Sequence, residues 1–205
     1  MKSIQVSETS WRDVYARLTE IVQPRPIALV STWHPEYGLN LAPFSFFTIV
    51  SSNPPYIAFA PQIAVRTGQK KDTLKNIEAH PEFVIATVTE DIAERVNAAS
   101  TPLPYGESEF DYTGLTPVPA EYIKGFCVQE SPINMECKLV EIHSYGSEGG
   151  AGQLIVGSIE AIHIQEAVLD PSGKIDPALL RTVARMGGED WCRSQDRFNY
   201  KRPDR

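Results

Sequence analysis

Short runs of β-branched, aromatic and other apolar residues, bounded by proline, glycine or asparagine, occupy the middle of the chain. Runs of this length and composition predict β-strands. Six strands are predicted in this way, at Ile27 to Thr32, Phe44 to Ser51, Tyr56 to Ala60, Phe83 to Thr89, Cys137 to Ser144 and Leu154 to Ile164. The chain is therefore predicted to be mainly β.

Apolar residues at helical spacing predict fewer helices, at Trp11 to Val22, Thr73 to Ala79, Asp91 to Ala99 and Pro177 to Met186. Gly187-Gly188 is expected to stop the last helix. Because the strands come in runs and do not alternate with long helices, a β-barrel with peripheral helices is favoured over a doubly wound sheet.

One domain spanning residues 1–205 is expected from the length of the chain. The segment from Ser100 to Pro119 is rich in proline, glycine and aromatic residues without being of low complexity, so an ordered excursion is predicted there. Gly149 to Gly152 is predicted to be a hairpin turn, because a strand follows it and the third glycine of a dinucleotide-binding fingerprint is missing.

The charge balance narrows the class of partner, since 26 acidic residues against 19 basic ones give a net charge of -7. This balance argues against nucleic acid as a partner. No apolar run approaches the roughly 18 residues that a membrane span needs, and the N-terminal residues lack the apolar stretch of a signal peptide. A cytoplasmic location without membrane partners is expected, with Cys127, Cys137 and Cys192 reduced and structural.

Metal and hydrolytic chemistry find no support in the sequence. The histidines show neither the i, i+4 spacing of a helical metal pair nor a cysteine partner nearby, so no metal site is predicted; they are His34, His80, His143 and His163. The Gly-x-Ser-x-Gly elbow that presents a nucleophilic serine is also missing.

The stretch Lys70-Lys71-Asp72-Thr73 has the composition of a phosphate site. Asp72 and Thr73 are predicted to be N-caps of the helix that ends before Pro81. A helix N-terminus beside two lysines attracts phosphate. Taken alone, the same pattern is also that of an ordinary surface helix start.

The segment from Asn40 to Phe47 suits a flat heterocycle. It places the restricted pair Ala42-Pro43 and the Ser45 hydroxyl among aromatic residues, which can cover a planar ring while main-chain groups approach its edge. Barrel core is the other interpretation of these aromatics. A phosphate site and a ring site together predict a mononucleotide cofactor.

An ordered series of sequence blocks runs along the chain from about Arg25 to Arg202. The blocks are Arg25-Pro26-Ile27-Ala28-Leu29-Val30-Ser31-Thr32, Asn40 to Phe47, Asn53-Pro54-Pro55, Lys71-Asp72-Thr73 with Asn76-Ile77, Glu109-Phe110, Gly114-Leu115-Thr116, Glu136-Cys137 and Arg185-Met186-Gly187-Gly188. In this order the blocks resemble those of the flavin-reductase-like FMN-binding proteins, and of the flavoredoxin branch in particular.

The resemblance implies a split β-barrel that binds FMN. It implies that main-chain N–H groups around Ser31-Thr32 and Asn40 to Ser45 contact the ring, and that the Ser45 hydroxyl, Lys71 and the amides of Asp72-Thr73 hold the phosphate. The cofactor-binding residues expected from the resemblance are Ser31, Thr32, Asn40, Ala42, Pro43, Phe44, Ser45, Lys71, Asp72 and Thr73.

FMN carries the hydride chemistry, so the protein need supply no nucleophile. A positive charge near N1 and the C2 carbonyl of the ring stabilises the anionic reduced flavin, and Arg185 is the candidate for that catalytic role. The alternative for Arg185 is a solvated arginine at the end of a helix. Trp191 stands where the resemblance implies tyrosine, and the loop with Trp33 and His34 departs from the family pattern and can place a ring at the pocket mouth.

The leading hypothesis is a flavin reductase that takes hydride from NADH or NADPH and delivers electrons to free flavin, an iron complex or a partner oxygenase. The runner-up is an FMN-binding electron carrier without a nicotinamide site. A cofactor-free binding barrel is the third hypothesis. The resemblance also implies a homodimer.

Overall fold

The computed structural model describes residues 1–203. In chain order the strands are β1 (Arg25–Pro26), β2 (Ala28–His34), β3 (Gly38–Phe44), β4 (Phe47–Ser52), β5 (Pro55–Phe59), β6 (Glu82–Thr87), β7 (Pro117–Pro119), β8 (Phe126–Val128), β9 (Ile133–Ser144), β10 (Gln153–Ile164), β11 (Val183–Arg185) and β12 (Trp191–Arg193). The helices are α1 (Trp11–Ile21), α2 (Asp72–Ala79), α3 (Ala93–Ala98), α4 (Glu109–Thr113) and α5 (Pro177–Leu180).

The largest sheet has seven antiparallel strands in the order β3-β2-β6-β9-β10-β5-β4. Two small sheets accompany it, one of β1, β11 and β12 and one of β7 and β8. The fold is mainly β with peripheral helices, as the strand pattern predicts.

Alternation along β2 divides the core into two clusters, because successive side chains of a strand point to opposite faces. Ala28 and Val30 belong to a cluster that also takes Leu74 and Ile77 from α2. Leu29, one residue along, belongs to a second cluster that includes residues of α3, α4 and β8. The sheet is thus covered on both faces around β2.

Three of the predicted helices form close to their expected bounds. The Ser10 hydroxyl accepts a hydrogen bond from the Asp13 N–H and caps α1. The predicted helix from Asp91 to Ala99 forms as α3, preceded by a 3-10 turn at Glu90–Ile92. No helix within residues 1–203 is long and apolar enough to span a bilayer.

The prediction of a helix from Pro177 to Met186 is wrong over its second half. Asp176 caps the helix and Pro177 occupies its first turn, but α5 stops at Leu180. Arg181 then adopts a left-handed conformation with φ 49°, and the chain continues as β11. Gly187 and Gly188 lie in the turn between β11 and β12, and do not stop a helix.

The predicted strand from Phe44 to Ser51 is divided in the structure. Phe44 ends β3 and Phe47 begins β4, so the strand Gly38–Phe44 was missed as a strand. The turn predicted at Gly149 to Gly152 lies between the antiparallel strands β9 and β10, which confirms a hairpin. The excursion from Ser100 to Pro119 contains α4 and all of β7.

Candidate functional site

Strand β3 lies at one edge of the large sheet and pairs only with β2. The Leu41 N–H turns away from β2 and donates to the Glu109 Oε2 at 2.8 Å. Because the N–H groups of successive strand residues point to opposite sides, those of Asn40, Ala42 and Phe44 point toward β2. The sheet therefore uses three of the N–H groups that were expected to contact a ring.

The remaining main-chain groups of the predicted ring site are few. Pro43 stands where an N–H would face outward, a position at which proline costs the sheet no bond. The register directs the Ser31 N–H toward β6 and the Thr32 N–H toward β3. Ser45 follows the end of β3, so its N–H lies outside this ladder. Ring contacts through main-chain N–H groups are thus restricted to the end of β3.

Side chains of the predicted site form a buried network between the sheet and α2. The Asn40 Nδ2 donates to the Thr73 Oγ1 at 3.0 Å, and the Asn76 Nδ2 donates to the Thr32 Oγ1 at 3.1 Å. The Tyr105 hydroxyl donates to the Asn76 Oδ1 at 2.8 Å. These bonds fix the start of α2 against β2 and β3. The sequence analysis missed Tyr105, for which no local pattern is a signal.

Ser31 lies on the opposite face of the sheet from Thr32, because the two are neighbours on one strand. Its side chain is fully buried, and the Oγ has no hydrogen-bond partner among residues 1–203. A buried hydroxyl without a partner is costly. The structure therefore separates Ser31 from the network that contains Thr32, Asn40 and Thr73.

Glu109 is buried and covers the unpaired edge of β3, where its carboxylate accepts a hydrogen bond from the Leu41 N–H. Burial raises the pKa of the Glu109 carboxyl, and the nearby Asp72 adds to that shift. Lys71 and the bond from Leu41 act in the opposite direction. Glu109 was not among the predicted site residues, although it belongs to the Glu109-Phe110 block.

The N-terminus of α2 presents unused donors. Lys71 is the N-cap residue and makes no side-chain cap bond, so Asp72 and Thr73 are not the caps that were predicted. Asp72 instead pairs with Lys75 at 2.7 Å. Within residues 1–203, no hydrogen bond satisfies the N–H groups of Asp72 and Thr73. Free N–H groups at a helix start suit a phosphate.

The two lysines beside this helix start differ in their contacts. Lys70 Nζ pairs with both carboxylate oxygens of Glu78, at 2.6 and 2.8 Å. Lys71 is exposed, and its Nζ has no hydrogen bond or ion pair in the part of the chain that the structure describes. The donor set of Lys71 with the amides of Asp72 and Thr73 therefore fits the phosphate of a nucleotide.

Ser45 contacts a buried arginine that the sequence analysis missed. The Arg25 Nε donates to the Ser45 Oγ at a long 3.4 Å. The rest of the guanidinium donates to carbonyl oxygens, those of Thr19 at 2.6 Å, Val22 at 3.0 Å and Met186 at 2.8 Å. Burial lowers the pKa of Arg25. The arginine thereby ties the end of α1 to the segment after β11.

Arg185 lies directly across from Arg25 in the pairing of β1 with β11. It belongs to a strand, which corrects the alternative of an arginine at a helix end. Its side chain donates to the Gly188 carbonyl, and its guanidinium carbon lies 5.3 Å from the centre of the Trp191 ring. The Nε is buried without a partner within residues 1–203. Arg185 therefore retains guanidinium N–H donors, the buried Nε among them, that the described chain does not use.

Aromatic rings at the end of β2 and in the turn between β2 and β3 pack on neighbouring rings. Trp33 meets His80 edge-on at 5.3 Å between centroids. His34 lies 4.8 Å from Tyr37, and Tyr37 stacks on Tyr105 at 4.1 Å. Tyr105 contacts Asn76 as described above, so this aromatic group adjoins the buried network at α2.

The prediction of no metal site was based on sequence spacing, in which the histidines show no cysteine partner nearby; in the folded chain, His163 lies close to a cysteine. The ligand atoms of His163, Cys127 and Glu136 all lie within 4.8 Å of one another. They come from β10, β8 and β9, respectively. Sequence spacing gave no signal of this cluster, because it forms where β8 packs on the β9–β10 hairpin.

Comparisons with known proteins agree with this architecture. Residues 23–181 match the family described as flavin reductase like domain. An uncharacterised protein of Halalkalibacterium halodurans is 35% identical over 95% of this chain and 93% of its own length. Nitrilotriacetate monooxygenase component B from Bacillus cereus is 33% identical and superimposes with a TM-score of 0.91, covering 98% of each chain.

A second solved structure extends the comparison. The 2-nitrobenzoate 2-nitroreductase of Pseudomonas fluorescens is 30% identical, with a TM-score of 0.88 over 98% of this chain and 96% of the other. The resemblance of the sequence blocks and the split-barrel architecture are thus both confirmed. The chain belongs to the flavin-reductase-like family of split-barrel flavoproteins.

Proposed function

We propose that the protein is an FMN-dependent oxidoreductase that accepts hydride from NADH or NADPH and delivers electrons to free flavin, an iron complex or a partner oxygenase. The observation that carries the proposal is the full-length likeness to nitrilotriacetate monooxygenase component B, at 33% identity and a TM-score of 0.91. A monooxygenase component of this fold makes a partner oxygenase or free oxidised flavin a fitting electron acceptor. The nitroreductase neighbour supports reductive chemistry on the same scaffold.

FMN would supply the redox chemistry when bound, so the residues of this chain would need only to hold and orient it. In the proposal, Lys71 and the N–H groups of Asp72 and Thr73 bind its phosphate, because these donors are unused by the protein. Ala42, Pro43 and Phe44 remain proposed ring contacts, since each is only partly buried at the sheet edge. Neither set needs a new conformation of α2 or β3.

Arg185 is the proposed positive group beside the flavin ring. A cation near N1 and the C2 carbonyl stabilises the charge that reduction places there. Its unpartnered buried Nε supports this role, as does its packing on Trp191, which holds the guanidinium in place. Its neighbour Arg25 already donates to three carbonyl groups and the Ser45 hydroxyl, and is less suited to a ligand.

A homodimer in the cytoplasm is part of the proposal. The outward face of α1 leaves large apolar side chains exposed, among them Leu18 and Ile21, and β4 exposes Ile49. Exposed apolar groups of this size are typical of surfaces that another protein covers. Sedimentation velocity tests the dimer, and a monomer at micromolar concentration would remove it from the proposal.

The alternative is an FMN-binding electron carrier that only another redox protein reduces. Anaerobic absorbance spectra of the FMN-loaded protein, taken before and after addition of NADH and then NADPH, distinguish the two functions. Bleaching of the flavin band by either nicotinamide is the expected result and identifies the donor. Bound flavin that stays oxidised would favour the carrier, and failure to bind FMN would overturn both functions.

A further inference from the structure

The Cys127, Glu136 and His163 cluster lies where β8 packs against β9 and β10. The Val128 N–H donates to the Asn134 Oδ1 at 2.9 Å, and the Asn134 Nδ2 donates to the Val128 carbonyl at 3.1 Å. These reciprocal bonds hold β8 beside β9. The three residues of the cluster therefore all lie on strands, and side-chain bonds to Asn134 hold β8 against β9.

Glu136 is the centre of the cluster and is completely buried. Its Oε1 accepts from the Glu121 N–H at 2.8 Å and from the His163 Nε2 at 2.7 Å, and its Oε2 accepts from the Tyr122 N–H at 2.8 Å. No lysine or arginine pairs with it within residues 1–203. The site therefore carries a negative charge that only His163 is placed to offset.

Cys127 completes the donor set. Its Sγ makes no hydrogen bond within residues 1–203 and it forms no disulfide. It is half-buried, and burial together with Glu136 and Glu121 raises the pKa of its thiol to about 11. A divalent cation bound here would lower the pKa of this thiol, because a metal ion favours the thiolate.

We propose that Cys127, Glu136 and His163 form a Zn²⁺ site, with water as the fourth ligand. Thiolate sulfur, imidazole nitrogen and carboxylate oxygen are the ligands that Zn²⁺ takes in proteins, at about 2.0 to 2.3 Å. Bonds of that length place the ligand atoms roughly 3 to 4 Å apart, and the present ligand atoms all lie within 4.8 Å of one another. The imidazole must release its bond to Glu136, which its 31% exposed side chain has room to do.

The N–H groups of Glu121 and Tyr122 stay on the carboxylate in the metal-bound site and fix its orientation. The metal would then tie β8 to the long β9–β10 hairpin. This proposal does not rest on flavin binding.

Metal binding is measured on the full-length protein after treatment with a chelator. Titration with Zn²⁺ against a chromophoric chelator is expected to give one site per chain. Substitution by Co²⁺ is expected to give a thiolate-to-cobalt charge-transfer band. Cys127→Ser is expected to remove that band and weaken Zn²⁺ binding by about tenfold or more. Cys192→Ser, a cysteine on β12 outside the cluster, is the matched control and should leave both unchanged.

A wild-type protein that binds no Zn²⁺, or a charge-transfer band that survives Cys127→Ser, would overturn the proposal. Circular dichroism of Cys127→Ser establishes that it is folded. If that variant does not fold, His163→Gln serves in its place, since His163 is partly exposed and is expected to weaken Zn²⁺ binding to a similar extent.

Discussion

Two groups of hydrogen-bond donors, one on Arg25 and one at the start of α2, differ in whether they already have acceptors within the protein. The guanidinium of Arg25 is buried and directs its N–H groups at three carbonyl oxygens and one hydroxyl. At the start of α2, Lys71 and two main-chain N–H groups have no partner in the described chain. The satisfied donors hold the fold together, whereas the unsatisfied donors mark a place for an anionic ligand.

The two groups also differ in what surrounds them. Arg25 caps the last carbonyls of α1, which would otherwise lack partners. The α2 start is braced from beneath by the bonds between Asn40 and Thr73 and between Asn76 and Thr32. A helix start that is held in place and whose donors have no partner is suited to binding a ligand, because the donors need no rearrangement.

The largest effect is expected from Arg25→Ala. The variant leaves the carbonyl groups of Thr19, Val22 and Met186 without their donor, and we expect a loss of about 3 kcal/mol in the free energy of unfolding. Urea denaturation measures it. Arg17→Ala, at an exposed position on α1, is the control and should change stability little. A similar loss in both variants would contradict the claim that the bonds of the buried Arg25 stabilise the fold.

Glu136→Gln is expected to cost about 2 kcal/mol at pH 7, because the amide cannot accept from two N–H groups and His163 together. Burial works to raise the pKa of Glu136, but these three donors outweigh it and the net pKa is lowered. The carboxylate therefore stabilises the protein above the ordinary carboxyl pKa, and this contribution is lost as the pH falls through the lowered value.

Urea denaturation of wild type and Glu136→Gln between pH 7 and pH 3, in the presence of a chelator, measures this dependence. The difference between the two proteins should shrink below about pH 4.5. Glu160→Gln is the control, since Glu160 is exposed and its ion pair with Lys138 is long, at 3.9 Å. A constant difference across this range would contradict the assigned role of the carboxylate.

Lys71→Ala is expected to weaken FMN binding by about fivefold to tenfold with unchanged stability, through the loss of one charge-assisted contact. Lys70→Ala is the matched control, because Lys70 is already paired with Glu78. Fluorescence titration measures both affinities. Thr73 is left intact, since its buried hydroxyl accepts from Asn40 and its loss would disturb the fold. Equal weakening by both variants would show general electrostatics and no specific phosphate contact.

Only a small effect on stability is expected from Ser45→Ala. The Ser45 hydroxyl accepts from Arg25 at a long 3.4 Å, so we expect a change below about 0.5 kcal/mol in unfolding free energy. FMN affinity should still fall if the hydroxyl holds the phosphate. Unchanged affinity in a fluorescence titration would remove Ser45 from the binding site.

The helix and strand bounds that local patterns determine were predictable from the sequence. Ser10 before an amphipathic run marks the start of α1, and Asp176-Pro177 marks the start of α5. The end of α5 was not predictable, because Arg181 takes the left-handed conformation that glycine usually supplies. Surface ion pairs with Glu90 and Asp91 hold it there, and these depend on tertiary structure.

The sequence located the start of α2 but not the arrangement of side chains around it. The pattern of Lys71-Asp72-Thr73 predicted a helix start there, and α2 begins at Asp72, although the N-cap residue is Lys71. The position of Ser31 on the other face from Thr32 follows from alternation along one strand, and the predicted strand Ile27 to Thr32 already contained both residues. The use of the Asn40 and Ala42 N–H groups by β2 follows from the pairing of β2 with β3. Because β3 was not recognised as a strand, that second point could not be derived from the sequence.

The measurement that tests the central claim most directly is the affinity of the wild-type protein for FMN compared with riboflavin, repeated in Lys71→Ala. The two ligands differ only in the phosphate. The account predicts that FMN binds more tightly than riboflavin and that Lys71→Ala narrows the gap by weakening FMN alone. Equal affinity for both ligands, or a gap that Lys71→Ala leaves unchanged, would contradict a phosphate site at the start of α2.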